Sequence, residues 1–472
     1  MTRALWTSDE AIAATGATAS GAIPETLAGV SIDSRTIKPG ELYVAIKGDV
    51  HDGHDFARAA FANGAGAALV SRERARELAG AGALFAVDDP LRGLEALGRA
   101  ARARSDARVI AVTGSAGKTG VKEALGLVLS RQGDTHFSVA SFNNHWGVPL
   151  TLARMPASAR FGVFEIGMNH AGEITPLTAM VRPHVAIVTA VLPVHLAYFS
   201  SVDAIADAKA EIFSGLEPGG VAIINADQPQ TDRLIARAAE HGARVVLFGE
   251  SARAEARLLS VALHADGSDV AASIDGEAVR YSLRNPGRHV AMNSLAVLAA
   301  ARAVGADVAR VAADLAEVPP PTGRGAREII PVAGGAVTLI DESYNANPAS
   351  MRAAIENLGR IRAKESGRRI AVVGDMLELG DRARDFHAEL ASAMNDNGVD
   401  LVFACGPMMR ALWDELPPSR RGAYAADSAA LTPAVIAAIG AHDIVSVKGS
   451  LGSRMGPVVK AIRARLTPPA KN

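Results

Sequence analysis

Val112-Thr113-Gly114-Ser115-Ala116-Gly117-Lys118-Thr119 decides the reading of this chain. The apolar run Val109–Val112 feeds it and reads as a strand, while Val121, Ala124, Leu125, Val128 and Leu129 leave it at helical spacing. A strand, a glycine turn and a helix that starts with lysine make a cradle for phosphate. Glycines let backbone N–H groups turn inward, and the helix N-terminus adds partial positive charge. Lys118 is placed to neutralise the β- and γ-phosphates of a nucleotide, and Thr119 to hold magnesium. Val112 stands where the strict nucleotide-loop pattern has glycine, so the loop is a shortened variant. The plainer alternative is a strand-to-helix turn with an incidental lysine.

Outward from the loop, buried strands are expected at Phe161–Ile166, Val185–Val191 and Val221–Ile224, with helical stretches between them. That alternation implies a mostly parallel sheet covered by helices. Segments within 257–283 fit an antiparallel addition, and His289–Val304 fits a closing helix. Val318-Pro319-Pro320-Pro321-Thr322-Gly323 is the clearest linker, because consecutive prolines stop a helix and stiffen the chain. Beyond it, Val337–Ile340, Ile370–Val373, Leu401–Ala404 and Ile444–Val447 alternate with helices such as Ala383–Asn395, a Rossmann-like order without the GxGxxG fingerprint. Before the loop, strands at Glu41–Ile46 and Ala67–Val70 flank an alanine-rich helix over Ala57–Ala68. The fold class is therefore α/β with three domains. These are a small α/β domain over 1–105, a central P-loop ATPase-like parallel-sheet domain over 106–318, and a C-terminal Rossmann-like domain over 319–472. About 150 residues per domain gives the same count for a chain of 472.

Composition narrows the partners. Lys and Arg total 49 against 50 for Asp and Glu, which excludes a globally basic nucleic-acid coat. The single cysteine, Cys405, has no disulfide partner, and a reducing compartment fits best. Thr7 and Glu10 have capping-box spacing, and Asp9 and Glu10 interrupt the apolar run that an export signal needs. The uncharged stretch Pro183–Val202 carries His184, Pro193 and His195, and reads as a buried strand and loop rather than a membrane span. A cytoplasmic protein with no stable membrane insertion is expected.

Ligands of open α/β sheets bind beyond the carboxyl ends of strands. Glu165, His195 and Asp341 fall at such ends, and the first two are plausible magnesium ligands. Each also has a plain reading, as a solvated loop residue or a core hydrogen-bonder. Lys209 interrupts the apolar stripe Val202, Ile205, Ala206, Ile212, Phe213 and Leu216. Burial there would neutralise its ammonium and leave a nucleophilic amine able to form a carbamate with carbon dioxide. Periodicity alone favours a lysine that snorkels to the surface.

Together these motifs resemble the Mur ligases, ATP-dependent amide-forming enzymes of cell-wall precursor synthesis. The resemblance rests on the shortened phosphate loop and on Ile32-Asp33-Ser34-Arg35, the 39–45 run Pro-Gly-Glu-Leu-Tyr-Val-Ala, and Asp52-Gly53-His54-Asp55-Phe56. It extends through Asn143-Asn144, the run from Glu165 to His170, Asp341-Glu342-Ser343-Tyr344-Asn345-Ala346-Asn347-Pro348, and Val373–Gly380. It implies a catalytic group of Lys118, Glu165, His195 and Lys209, with magnesium held by Thr119, Glu165, His195 and a carbamylated Lys209. It implies ATP contacts from Thr113, Gly114, Ser115, Ala116, Gly117, Lys118, Thr119, Asn293, Arg324 and Asp341. It implies substrate contacts from Ser34, Arg35, Lys47, Asn143, Asn144, Asn345 and Asn347. The implied small-molecule partners are ATP, a UDP-linked muramoyl tripeptide bound by the first domain, and D-alanyl-D-alanine bound by the third, which closes over ATP. A monomer that binds no nucleic acid is expected. Three departures stand out. Leu451 follows Lys448-Gly449-Ser450 where the family has arginine, with Arg454 as a candidate substitute; Glu342 replaces a common aspartate; and His145-Trp146 follows the paired asparagines. A sister ligase, a folylpolyglutamate synthetase-like ligase and a small-molecule kinase are the alternatives.

Overall fold

The apolar runs around the phosphate loop pair with one another in one sheet. Arg108–Thr113 lies in parallel register between Phe161–Glu165 and Val185–Val188. Helices cover both faces, so these strands need no polar alternation. The computed structural model describes residues 4–466 apart from 139–140, 195, 265 and 364–366. The central sheet runs Thr135–Phe137, Phe161–Glu165, Arg108–Thr113, Val185–Val188, Val221–Asn225, Arg244–Gly249 and Ala256–Leu263, all parallel. Ser268–Ile274 and Glu277–Leu283 extend it antiparallel, as expected for 257–283. Helices Lys118–Ser130 and Arg288–Ala303 pack one face. Helices Gly147–Ala153, Ile174–Val181 and Val202–Ala210 pack the other.

The N-terminal sheet orders Thr18–Ser20, Leu84–Val87, Ala67–Ser71, Leu42–Val44 and Val30–Ser31. Thr7 and Glu10 close their capping box ahead of the helix Ser8–Thr15. Trp6 Nε1 donates to the Ala153 carbonyl at 2.9 Å, and buried Arg102 donates to the carbonyls of Val181 and Arg182. These bonds tie the N-terminal domain to the central domain.

The third sheet orders Ala326–Val332, Gly335–Glu342, Ile444–Lys448, Arg369–Gly374, Leu401–Cys405 and Arg421–Ala425. Its first pair is antiparallel and the rest are parallel. The hairpin strand Ala326–Val332 has no counterpart in the sequence reading.

Three elements differ from expectation. The helix over Ala57–Ala68 stops at Ala62, where Asn63 and a left-handed Gly64 turn the chain. The strand Val185–Val191 ends at Val188, because Thr189 leaves the ladder to brace the phosphate loop. The helix Ala383–Asn395 is two helices, Ala383–Ala388 and Leu390–Asp396, broken at Glu389. No helix among the described residues is long and apolar enough to cross a membrane.

Candidate functional site

The phosphate loop joins the buried strand Arg108–Thr113 to the helix Lys118–Ser130 at the sheet's carboxyl edge. Two glycines permit its path. Gly114 lies at φ +147°, and a Cβ there would stand 2.0 Å from Thr189 Oγ1. Gly117 lies at φ +87°, and a Cβ would meet the Asn293 amide at 2.6 Å. Thr189 Oγ1 donates to the Ala116 carbonyl at 2.5 Å, and Ser115 N–H donates to the Ala190 carbonyl at 2.7 Å. The loop after Val185–Val188 therefore sets the shape of the cradle, a role for Thr189 that no sequence motif announced.

Lys118 Nζ donates to the Gly114 carbonyl at 2.6 Å. Burial pushes its pKa down; the Glu165 charge opposes this and Arg324 adds to it. Glu165 ends its strand at 2% exposure, and Thr119 Oγ1 donates to its Oε2 at 2.9 Å. Asn143 Nδ2 donates to Oε1 at 2.8 Å. The carboxylate thus meets two neutral donors, and its oxygens and Thr119 Oγ1 are the hard ligands that suit magnesium. Among the described residues no group of three His, Cys, Asp or Glu side chains is placed to hold a metal ion. A metal here would depend on donors of other kinds.

Lys209 is near the end of the helix Val202–Ala210 and is 2% exposed, so it does not snorkel. Burial, and then the like charge of Lys118, push its pKa well below the ordinary lysine value. A neutral amine is the form that adds to carbon dioxide, so the surroundings suit a carbamate. Lys118, Glu165 and Lys209 share one electrostatic neighbourhood. His195 lies outside the described residues.

A cleft between the central and third domains starts at the phosphate loop. Its nucleotide part is lined by residues 115–121, Asn293, Arg324, Glu342 and Lys448, among others. Its second part is lined by Asn143, Glu165, Tyr344, the 377–379 segment and the 450–452 segment. Ser115, Lys118, Arg324, Asn345 and Asn347 border both parts. Arg324 lies 4.6 Å over the Tyr344 ring, a cation–π contact at the junction. Lys448 Nζ reaches Glu342 Oε2 at 3.3 Å and the Asn345 carbonyl at 3.0 Å.

Several expected residues have their side chains engaged in local hydrogen bonds or ion pairs, and some lie outside the cleft. Asp341 Oδ1 accepts from Ser343 N–H and Oγ, and Oδ2 lies 3.6 Å from Arg463. Its neighbour Glu342 lines the cleft beside the phosphate loop instead, because successive strand residues point to opposite faces. Thr113 is buried in the strand, and neither Thr113 nor Gly114 borders the cleft. Asn144 Oδ1 accepts Gly147 N–H, Asn345 Oδ1 accepts Ala346 N–H, and Asn347 caps the helix Pro348–Arg360. Ser34, Arg35 and Lys47 lie in the N-terminal domain outside the cleft. Ser34 accepts from Asn63 at its carbonyl, Arg35 pairs with Asp33, and the Lys47 backbone forms an isolated antiparallel β-bridge with Asp52. Leu451 borders the cleft at 66% exposure, and Arg454 does not border it.

Three family models match the chain: a Mur ligase family catalytic domain over 26–105, a Mur ligase middle domain over 112–301, and a Mur ligase glutamate ligase domain over 326–451. The UDP-N-acetylmuramoyl-tripeptide–D-alanyl-D-alanine ligase of Escherichia coli strain K12 is 36% identical over 442 residues, 93% of this chain and 94% of that one. A MurF crystal structure from Acinetobacter baumannii superposes with a TM-score of 0.84 at 29% identity, covering 97% of this chain and 99% of that chain. MurF ligase from Thermotoga maritima in complex with ADP gives 0.75 at 25% identity, covering 93% and 97%.

Proposed function

The chain belongs to the Mur ligase family, and from that premise we propose that it joins D-alanyl-D-alanine to UDP-N-acetylmuramoyl-tripeptide, converting ATP to ADP and phosphate. One observation carries the reading. The nucleotide part of the cleft and the part beside Glu165 share Ser115, Lys118 and Arg324, so a nucleotide and a second reactant can meet there.

A carboxylate is a poor electrophile, so amide formation needs activation. A carboxylate oxygen of the tripeptide would bond to the γ-phosphorus of ATP as the bond to ADP breaks. The dipeptide amine would then attack the acyl carbon and lose a proton, and inorganic phosphate would leave. The first step brings anions together, so it depends on positioning and charge neutralisation. Lys118 and Arg324 supply fixed positive charge at the junction. Magnesium, when bound, screens phosphate charge, and Thr119 and Glu165 are the residues that would hold it. A carbamylated Lys209 and His195 complete the proposed ligand set. Asn143 orients Glu165.

Ser115–Thr119 and Asn293 are assigned to ATP, and Glu342 takes the nucleotide-facing place expected of Asp341. Ser34, Arg35 and Lys47 are assigned to the UDP moiety. The segments 377–379 and 450–452 wall the side on which the dipeptide enters. Closure of the third domain would exclude water, which would otherwise hydrolyse the acyl phosphate. Both walls come from one chain, so a monomer suffices, and a cytosolic location supplies the ATP. Release of ADP is the test. The proposal expects release only with UDP-linked tripeptide and D-alanyl-D-alanine both present. Release driven by another amino acid would mean a sister ligase, and phosphorylation of a hydroxyl would mean a kinase.

A further inference from the structure

The strand Arg369–Gly374 runs into a segment, 375–380, whose Leu377, Glu378 and Leu379 wall the part of the cleft beside Glu165, assigned above to the dipeptide. Irregular backbone must have its donors met individually. Leu377 N–H donates to Ser450 Oγ at 3.0 Å, and Met376 N–H donates to His387 Nε2 at 2.9 Å. Glu378 lies at φ +63°, a conformation unfavourable for a residue with a side chain, so outside contacts must hold it. At Gly380 the segment reaches the central domain, where an added Cβ would stand 3.4 Å from the Leu196 carbonyl carbon.

His387 is fully buried in the helix Ala383–Ala388. A backbone N–H only donates, so Nε2 must be the bare nitrogen. Nδ1 then carries the proton and donates to the Ala383 carbonyl at 2.6 Å. Both ring nitrogens are committed, and the ring must be neutral because an imidazolium has no acceptor. Burial lowers its pKa and so keeps it neutral, against the Ala383 carbonyl and the Asp375 charge.

We propose that His387 is a positioning residue for the amine substrate: by accepting Met376 N–H it fixes the 377–379 wall of the cleft. The inference rests on the ligase reading above. Neither the 373–380 motif nor the phosphate loop required this role for a residue outside the cleft.

Two substitutions separate positioning from simple packing. His387→Asn keeps a donor near Ala383 but loses the acceptor at the ε position, and His387→Gln restores an acceptor there. Kinetics of the full-length enzyme with ATP, magnesium and UDP-linked tripeptide should show KM for D-alanyl-D-alanine raised about tenfold in H387N, the size of one lost buried hydrogen bond. KM for ATP should stay near wild type, the melting temperature should fall modestly with the lost bond, and H387Q should return the dipeptide KM to within about twofold. An unchanged dipeptide KM in H387N overturns the proposal, as does a parallel rise of both KM values in both variants. If H387N does not fold, His387→Phe, which keeps a ring but has no acceptor, decides: a dipeptide KM raised about tenfold supports the role, and an unchanged one contradicts it. Exchange of the Met376 amide hydrogen, slow in wild type and H387Q and fast in H387N, tests the contact independently of the substrate. Wild-type protein with no dipeptide-dependent turnover would refute the ligase reading, while slow Met376 exchange would still uphold the contact.

Discussion

Two carboxylates face the cleft from opposite walls, and their surroundings differ in kind. Glu165, on the central wall, accepts from a hydroxyl and a side-chain amide, both neutral. Glu342, on the third-domain wall, is 3.3 Å from Lys448, and both side chains are largely buried. A buried charge answered by neutral donors still attracts a cation, whereas one already paired does not. Glu165 therefore has surroundings that would suit a metal ion, and Glu342 is a brace that joins the strands Gly335–Glu342 and Ile444–Lys448.

The same isosteric change should break the two walls differently. Glu165→Gln is expected to cut turnover by about a thousandfold, since it removes charge where transition-state charge is balanced. Saturation of the residual rate should need far more magnesium. Magnesium titrations of both enzymes check this, and an unchanged magnesium requirement would remove Glu165 from the metal site. Lys209→Ala should lower turnover by about a hundredfold, with no recovery in added bicarbonate, because there is no amine left to carbamylate. Full activity in that variant would eliminate the carbamate role.

Glu342→Gln should act more mildly, and on the other substrate. The stranded Lys448 ammonium should cost about 1–3 kcal/mol of stability. KM for ATP should rise about tenfold while the magnesium requirement stays constant. Thermal melts and ATP kinetics read the two effects, and a shifted magnesium requirement would erase the contrast between the walls.

The smallest effect concerns acid. His136, on the edge strand of the central sheet, donates Nε2–H to the Thr151 carbonyl oxygen at 2.7 Å, and burial pushes its pKa down to about 4. The folded value lies below the unfolded one of about 6.5. Its contribution is therefore complete above about pH 6.5 and is lost as pH falls toward 4. Partial exposure of the ring trims that contribution to about 2 kcal/mol. Denaturant unfolding between pH 7 and 4 should show a shallower loss in His136→Gln; equal slopes would refute the assignment.

The central wall was more legible in the sequence than its opposite. The phosphate loop is contiguous, and its glycines, lysine and flanking strand and helix state their geometry locally. Glu165 sat at the end of an apolar run, where a ligand residue belongs. Lys209 was ambiguous because periodicity places it on an apolar stripe without saying whether its stem escapes; tertiary packing closes the escape. The third-domain wall is assembled from segments far apart in the chain. Asp341 and Glu342 alternate across a strand, and only the packing of the sheet decides which one faces the nucleotide. Thr189 bonds to a loop more than seventy residues earlier, which no local pattern records. The break at Glu389 escaped for a related reason, because helical spacing continues across it.

The most direct test follows an oxygen atom. If the tripeptide's terminal carboxylate is labelled with 18O, activation as an acyl phosphate requires one labelled oxygen to leave with each inorganic phosphate. The account predicts that transfer, dependent on D-alanyl-D-alanine for turnover. Amide product formed alongside unlabelled phosphate would contradict it.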